Sequence, residues 1–395
     1  MKATPGLGFA AALAAVTLIG PLAIHLYLPV VPAIKTAFGV SDAVAEFSFS
    51  VTLATMGIAT LFYGSLSDRF GRRPVLLSGL ALFLAGSILA ALAGSMTVLI
   101  AGRLVQAVGA GCSITLTRVM ARDIYGPDRL VQAIAYLTMA YTLGPMISPP
   151  LGGVLVDWIG WRSVFWFAVV AGAAITAIAA IVLRETRRGA IPRRASIVAD
   201  YRTLFGNLRF TAFVLQSGFC SGTFFAMVAA SPFLMEDVLG RSATEYGLYF
   251  FVYPAGYCLG NLVSSRVTGR VSIERMVLVG SVINLATVLV QAVYVFAGDL
   301  TPLVIFVPGF FVTFAQGLAL PNAQAGAIQA KPELAGTASG IGVFCQTFLS
   351  AVFAQLYGWA ANGTAVPMVA LAMLAATLSL AAGIVPLTPR ARRSV

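Results

Sequence analysis

Charge is what this chain has least of. Only 10% of its 395 residues are Asp, Glu, Lys or Arg, against roughly 25% in a typical soluble domain, and a water-soluble fold of this size is thereby excluded. Histidine occurs once, as His25, and the acids number 14. A clustered metal site or a nucleophile with a histidine base has almost nothing to be built from. The four cysteines, Cys112, Cys220, Cys258 and Cys345, fall in apolar stretches without CxxC spacing, which argues against a disulfide framework or a zinc site. Neither metal nor cofactor is expected, and an enzyme or a ligand-sensing receptor has little support.

What is present is apolar length. Hydrophobic residues make up 59% of the chain, and a membrane-crossing helix needs about 20 of them in sequence. Charged and turn-forming clusters near Lys35, Asp68, Ser95, Asp123, Asp157, Glu185, Glu236, Arg266, Asp299, Lys331 and Asn362 punctuate twelve such runs. A transmembrane β-barrel would show short alternating segments instead. The first run, from about Gly6 to Ile34, is too long for the apolar region of a signal peptide and is expected to stay in the mature protein. Residues 184–209, RETRRGAIPRRASIVADYRTLFGNLR, divide the runs six and six. The expected organisation is a six-helix bundle at 1–183, a cytoplasmic linker at 184–209 and a second six-helix bundle at 210–395, which is the plan of secondary transporters with a site at the midplane.

The net charge of +11 acquires its meaning from location. With twelve spans and the N-terminus inside, Lys and Arg divide 21 to 3 in favour of the cytoplasm, the outside keeping Lys35, Arg162 and Arg241. That is the positive-inside pattern, so the basic excess reports orientation and no nucleic-acid partner is expected. Both termini are then expected in the cytoplasm, and the expected setting is a bacterial-type inner membrane crossed many times. The remaining basic residue, Arg103, lies inside a span.

After the second run comes GSLSDRFGRRP, with Gly64, Asp68, Arg69, Gly71, Arg72 and Arg73. Tight turns need glycine, Asp68 can sit at the positive N-terminus of a helix from the other half, and Arg72 can pair with Asp123. In spacing and location this resembles the loop signature of the major facilitator superfamily, which implies a conformational latch. The fourth run carries Arg103, Gln106, Gly109 and Gly111, similar to a motif of proton-coupled drug exporters in which Ala107 replaces a glycine. At helical spacing Arg103, Gln106, Ala110, Ser113 and Thr117 make a polar stripe, and a buried arginine is costly unless it faces a cavity or partner. The fifth run contains GPMISPPLGG, with Gly144, Pro145, Pro149, Pro150, Gly152 and Gly153. It resembles the exporter motif of antiporters, so direction leans towards efflux. At the end of the first run, IHLYLPVVPAI places Tyr27, Leu28, Pro29 and Pro32 as in the Bcr/CflA type of drug exporter, but with His25 where those carry aspartate.

That departure matters, because none of the 14 acids lies deep in a span by this topology, and intramembrane titratable groups are the default proton carriers. His25 and Arg103, at similar depth, are the proton-coupling candidates, with Glu46 in reserve. For His25, proton carrier, neutral substrate ligand and packing residue all stand open. A cavity holding Arg103 and His25 without a carboxylate favours neutral or anionic cargo. Substrate-binding candidates are Tyr27, Arg103, Gln106 and Ser113 in the first half. In the second they are Gln216, Phe224, Phe225, Tyr249, Tyr253 and Gln346. Tyr246, Tyr249, Tyr253 and Tyr257 recur along the eighth run, with Tyr246 expected in an interfacial aromatic belt.

The reading is an exporter of small amphiphilic compounds working by alternating access, in exchange for protons. The alternative is a facilitator or symporter of a small organic metabolite without proton antiport. Partners are a small-molecule substrate, protons and membrane lipid, and a monomer is expected.

Overall fold

The computed structural model describes residues 7–187 and 197–389, and of 7, 126–132, 135 and 197–199 the backbone alone. In lipid every backbone N–H and C=O must be satisfied within the segment, and the apolar runs accordingly fold as helices. The first run is α1 (Leu7–Thr17), α2 (Ile19–His25) and α3 (Val31–Phe38), interrupted by a tight turn at Leu28–Val30. Pro29 and Pro32 supply no N–H there. Next come α4 (Asp42–Phe70), α5 (Arg72–Ala91), α6 (Met96–Ile159) and α7 (Arg162–Val182). Then follow α8 (Ile197–Phe205), which lies within the segment expected to be a linker, α9 (Leu208–Phe233), α10 (Ala243–Phe250), α11 (Val252–Val267), α12 (Ile273–Phe296), α13 (Pro302–Ala330), α14 (Ala335–Ala360) and α15 (Val366–Ile384). Ser95, Asn207, Ser272 and Thr301 cap helices with side-chain oxygens on the N3 amide, satisfying donors that a helix start leaves open.

The 64-residue α6 contains two of the expected spans. A straight helix would set Ser113 and Gly144 roughly 46 Å apart. Yet a Cβ on Gly20 would lie 3.4 Å from Ser113 Oγ, and one on Gly144 would lie 2.1 Å from Pro21 Cβ. Since Gly20 and Pro21 are neighbours, α6 doubles back between these points. Arg103 then Ser113 meet α2 in descending order of its residues, at Ala23 and Gly20. Gly144 then Gly152 meet Pro21 and Leu26 in ascending order. The two arms are therefore antiparallel.

Among the described residues ten helical segments are long and apolar enough to cross a membrane. The second arm of α6 and the broken pair α10–α11 complete the twelve spans. Side chains such as Trp158, Ile181 and Val170 are more than two-thirds exposed, a costly pattern in water and an ordinary one against lipid tails.

Two compact units emerge. The first comprises residues 1–40, 47–192 and 242–248, and the second 41–46, 193–241 and 249–395. In the first, α5 and the first arm of α6 touch backbone to backbone: a Cβ on Gly86 would lie 2.2 Å from Gln106 N, and one on Gly109 2.2 Å from Phe83 N. Small residues at helix contacts are how membrane helices approach closely without a hydrophobic driving force. In the second, Gly260 brings α11 equally close to Phe314 on α13, and Leu204, Phe210, Phe213, Val214 and Val277 form a core under α8.

Candidate transport site and conformational latch

Arg103, on the first arm of α6, is 1% exposed. Its Nη1 donates to Ala23 O at 2.9 Å and to Gln106 Oε1 at 2.5 Å, and its Nε reaches Ser48 O at 3.5 Å. The guanidinium lies 3.9 Å over the Tyr27 ring, a cation–π contact that strengthens away from water. Tyr27 OH and Ser48 Oγ are 2.5 Å apart, and Gln106 Nε2 donates to Ser87 Oγ at 2.8 Å. One cation thus ties together the end of α2, the turn after it, α4, α5 and α6. No carboxylate pairs with it among the described residues, and its buried Nη2 has no acceptor. His25, 6% exposed, ends α2 two residues beyond Ala23.

The polar stripe read from spacing is buried along its length, Arg103, Gln106, Ala110, Ser113 and Thr117 each at 1% or less. Burial of Arg103 is met by partners rather than by an open cavity. Ser113 and Thr117 return their hydroxyls to Ala110 O and Ser113 O on their own helix.

The second cluster lies where α4 turns into α5. Arg72 pairs with Asp68 one turn before it and donates from Nε to Asp123 Oδ2 at 3.1 Å and from Nη1 to Ser67 Oγ at 2.7 Å. The Arg72–Asp123 pairing is the one anticipated from the sequence. Gly71 has φ 103°, a backbone state that favours glycine, and a Cβ there would lie 2.7 Å from Glu185 Oε2. Glu185 fills that space. Its carboxylate accepts the amides of Arg72 (2.9 Å), Arg73 (3.1 Å), Thr186 (3.0 Å) and Arg187 (2.8 Å). Burial pushes this carboxyl up, but the four backbone donors outweigh it and hold it below the usual carboxylate range. Thr186 Oγ1 donates to Asp123 Oδ2 at 3.3 Å, Arg73 Nη2 to Ala180 O at 2.7 Å, and Arg187 Nη1 to the carbonyls of Asp68 and Arg69 at the end of α4. An acid at the start of α5 and a cation at the end of α4 both suit the helix dipoles. Arg69 stacks over Phe70, 5.1 Å away, and Gly64 has open space around it.

The Gly-Pro element on the second arm of α6 works by close approach. Gly144 meets Pro21, Gly152 meets the Leu26 carbonyl and Pro29, and Gly153 meets Ala243 O, where a Cβ would lie 2.2 Å away. Pro149 O receives Gly247 in the same way, while Pro145 sits within the helical arm beside Gly144. Asp157 Oδ2 accepts the Thr244 amide at 2.8 Å, capping the start of α10.

Residues 13–354 match the family described as Major Facilitator Superfamily. The chain belongs to that superfamily. It is 31% identical over 339 residues to Multidrug resistance protein D of Escherichia coli K12, covering 86% of this chain and 85% of that protein. Over 380 residues it is 27% identical to the uncharacterized MFS-type transporter YdgK of Bacillus subtilis, covering 94% and 93%. In fold it is similar to a POT family transporter in complex with 5-aminolevulinic acid, with TM-score 0.81, 14% identity and 98% of each chain covered. It is also similar to a D-xylose-proton symporter, with TM-score 0.77, 14% identity and 94% and 96% covered. This superfamily member is a multi-pass membrane transporter and not an enzyme, with small molecules as its substrates.

The transporter's second unit gathers the aromatic candidates. Tyr249 and Tyr253 both stack on Phe306, at 5.3 and 5.2 Å between ring centroids, and Phe224 bridges Tyr253 to Phe225 edge-on. Tyr253 is 1% exposed, whereas Tyr249, Phe224 and Phe225 are half-buried. Tyr246, expected at a membrane interface, is fully buried, because the adjacent Gly247 packs on Pro149 and Pro150 and draws this turn into the first unit. Gln216 is enclosed too, donating to Ser281 Oγ at 3.0 Å and to Ser379 Oγ at 3.3 Å. Gln346 is half-buried and receives a 3.5 Å contact from Gln324.

Glu185 takes a place in the geometry that the sequence did not suggest, and Glu46, held in reserve from the sequence, is more deeply buried than its position in the run indicated. Glu185 reads as one acid in an Arg-rich linker, but the structure folds 184–187 back onto the first unit; the only signal is an acid immediately after a span, flanked by arginines. Glu46 reads as an end-of-span residue, and is 1% exposed. It is the one fully buried carboxylate among the described residues.

Proposed function

We infer that this transporter exports small amphiphilic compounds, neutral or anionic, from the cytoplasm in exchange for protons. The halves 1–183 and 210–395, joined by the linker 184–209, alternate access to a midplane site. The observation that carries the reading is Arg103: a membrane-buried cation held by carbonyls, an amide and an aromatic ring, with one donor nitrogen still open. Such a group repels cationic cargo and offers an anionic or polar group a hydrogen bond. Relatives named multidrug resistance proteins support drug-like cargo, and the Gly-Pro element of α6 supports outward transport. His25, Arg103 and Glu46 are the proton-coupling residues, and the Asp68–Arg72–Asp123 cluster, with Glu185, is the cytoplasmic latch.

The sequence around Tyr27, Leu28, Pro29 and Pro32 supports membership of the Bcr/CflA type. The positive-inside charge pattern supports an inner-membrane location with both termini cytoplasmic, and a monomer suffices for alternating access. His25 in place of the subfamily's aspartate favours a second reading, uncoupled facilitated transport or symport.

Acidified inverted vesicles carrying a pH-sensitive dye separate the two. Proton release on adding neutral or anionic compounds, absent with Arg103→Ala, is the expected result. Substrate flux without proton movement would replace antiport with the facilitator reading.

A further inference from the structure

The first turn of α4 belongs to the second unit by its contacts, while the rest of that helix, from Phe47 onward, belongs to the first. This turn is a place where the chain passes from one unit to the other. It is docked on α14: Gln355 Nε2 donates to Ala43 O at 3.1 Å, and Gly358 leaves the space that Glu46 occupies. A Cβ on Gly358 would lie 2.7 Å from Glu46 Cβ, 3.1 Å from its Cγ and 3.3 Å from Ala43 Cα.

Glu46 is 1% exposed, and its Oε1 has no hydrogen-bond donor. The groups facing it are Asp42, one turn earlier on its own helix, and Tyr357 on α14. The Tyr357 phenol also senses Asp42 and, from the turn Leu234–Val238 that follows α9, Asp237. A carboxylate buried without an ion pair beside further acids is far more costly than the neutral carboxylic acid in the same place.

Resting on the proton exchange inferred above, we propose that Glu46 is a proton-binding site that couples docking of the first turn of α4 on α14 to protonation. Docked, Glu46 is the neutral acid. Undocked, it meets water and releases its proton to it, leaving the carboxylate. The docked form holds one more proton than the undocked form, so lowering the pH favours docking, and by reciprocity docking raises the affinity for the proton.

The test is a distance titration on the full-length protein in lipid nanodiscs. Spin labels are placed on S41C and N362C, both exposed positions, in a background with the four native cysteines replaced by alanine. From pH 9 to pH 5 the short-distance population should rise at least fivefold with Glu46 present. With Glu46→Gln it should stay high at every pH, and with Glu46→Asp it should still titrate, at a shifted midpoint. Gly358→Val, which fills the groove, should keep the population low throughout and leaves the proposal testable if Glu46→Gln fails to insert. A Glu46→Gln protein that titrates like its parent, or a parent that does not titrate, would overturn the proposal. In parallel, Glu46→Gln should lose proton-driven transport more than tenfold while retaining substrate counterflow. Absence of proton movement in the parent would defeat the antiport reading, and the distance titration would still decide the role of Glu46.

Discussion

The two charged clusters of the first unit hold arginines by opposite means. Arg72 lies at the start of α5 with two aspartates, and Glu185 caps the neighbouring amides. Arg103 lies within the span and has only carbonyls, an amide oxygen and an aromatic face. Both arginines are buried, but the side chains of Asp68 and Asp123 stay 41% and 16% exposed, so these carboxylates pair with Arg72 without giving up all their water. In the dry interior the desolvation cost of a second ion exceeds its attraction unless the geometry is excellent, and dipoles take its place. The second arrangement leaves one guanidinium nitrogen, Nη2, without an acceptor.

The strongest way to break this contrast is at Arg103. Arg103→Ala should abolish flux while leaving insertion intact, and Arg103→Lys should lose at least tenfold, since an ammonium cannot reproduce the planar fork and ring stacking. Flux in vesicles normalised to protein content in the membrane checks both. Next in size is Arg72→Ala, expected to slow transport about tenfold. Combined with Asp123→Asn it should lose little more, because the two act through one contact, and flux through the four members of that double-mutant cycle measures this.

Glu185→Gln should cost only a fewfold in flux, since the acid acts through backbone amides. Its signature is pH dependence. Because Glu185 is held below its usual value of about 4.3, its contribution is fully present above that value and is lost as pH falls through the lower folded value. Protection of the Arg72, Arg73, Thr186 and Arg187 amides, taken relative to the intrinsic exchange rate at each pH, should therefore be high at neutral pH and fall under acid. In the glutamine variant it should be low throughout. The smallest effect is expected at Tyr253. Tyr253→Phe keeps the stacking on Phe306 and should transport within about twofold of the parent, whereas Tyr253→Ala should destabilise by about 3 kcal/mol, as lost aromatic cores do, read as a lower unfolding temperature in detergent. A large loss in Tyr253→Phe would instead make its hydroxyl a substrate contact.

Much of this was legible from residue order. The Arg72–Asp123 pair could be anticipated because both residues sit at the same end of adjacent spans, where the pattern of charged breaks already placed them. The stripe of Arg103, Gln106, Ser113 and Thr117 could be seen from its helical spacing. Its partners could not, since Ala23 and Ser48 contribute carbonyl oxygens that every residue owns. Glu185 was hidden among seven arginines and lysine-free polar residues of a segment that reads as linker throughout. Tyr246 resembled an interfacial tyrosine until Gly247 was found against Pro149, a contact between residues about a hundred positions apart.

By itself the sequence determined that the protein is a bundle of membrane helices, roughly where the apolar runs are punctuated, and which residues bear charge within them. These follow from local composition, because a bilayer admits apolar runs only as helices satisfied within themselves. Tertiary structure alone decided that Arg103 is enclosed by backbone oxygens, that Glu185 caps α5, and that Glu46 lies dry against Gly358. Those outcomes depend on which helix faces which at distances where a single Cβ matters, and such closeness is a property of the packing of remote segments.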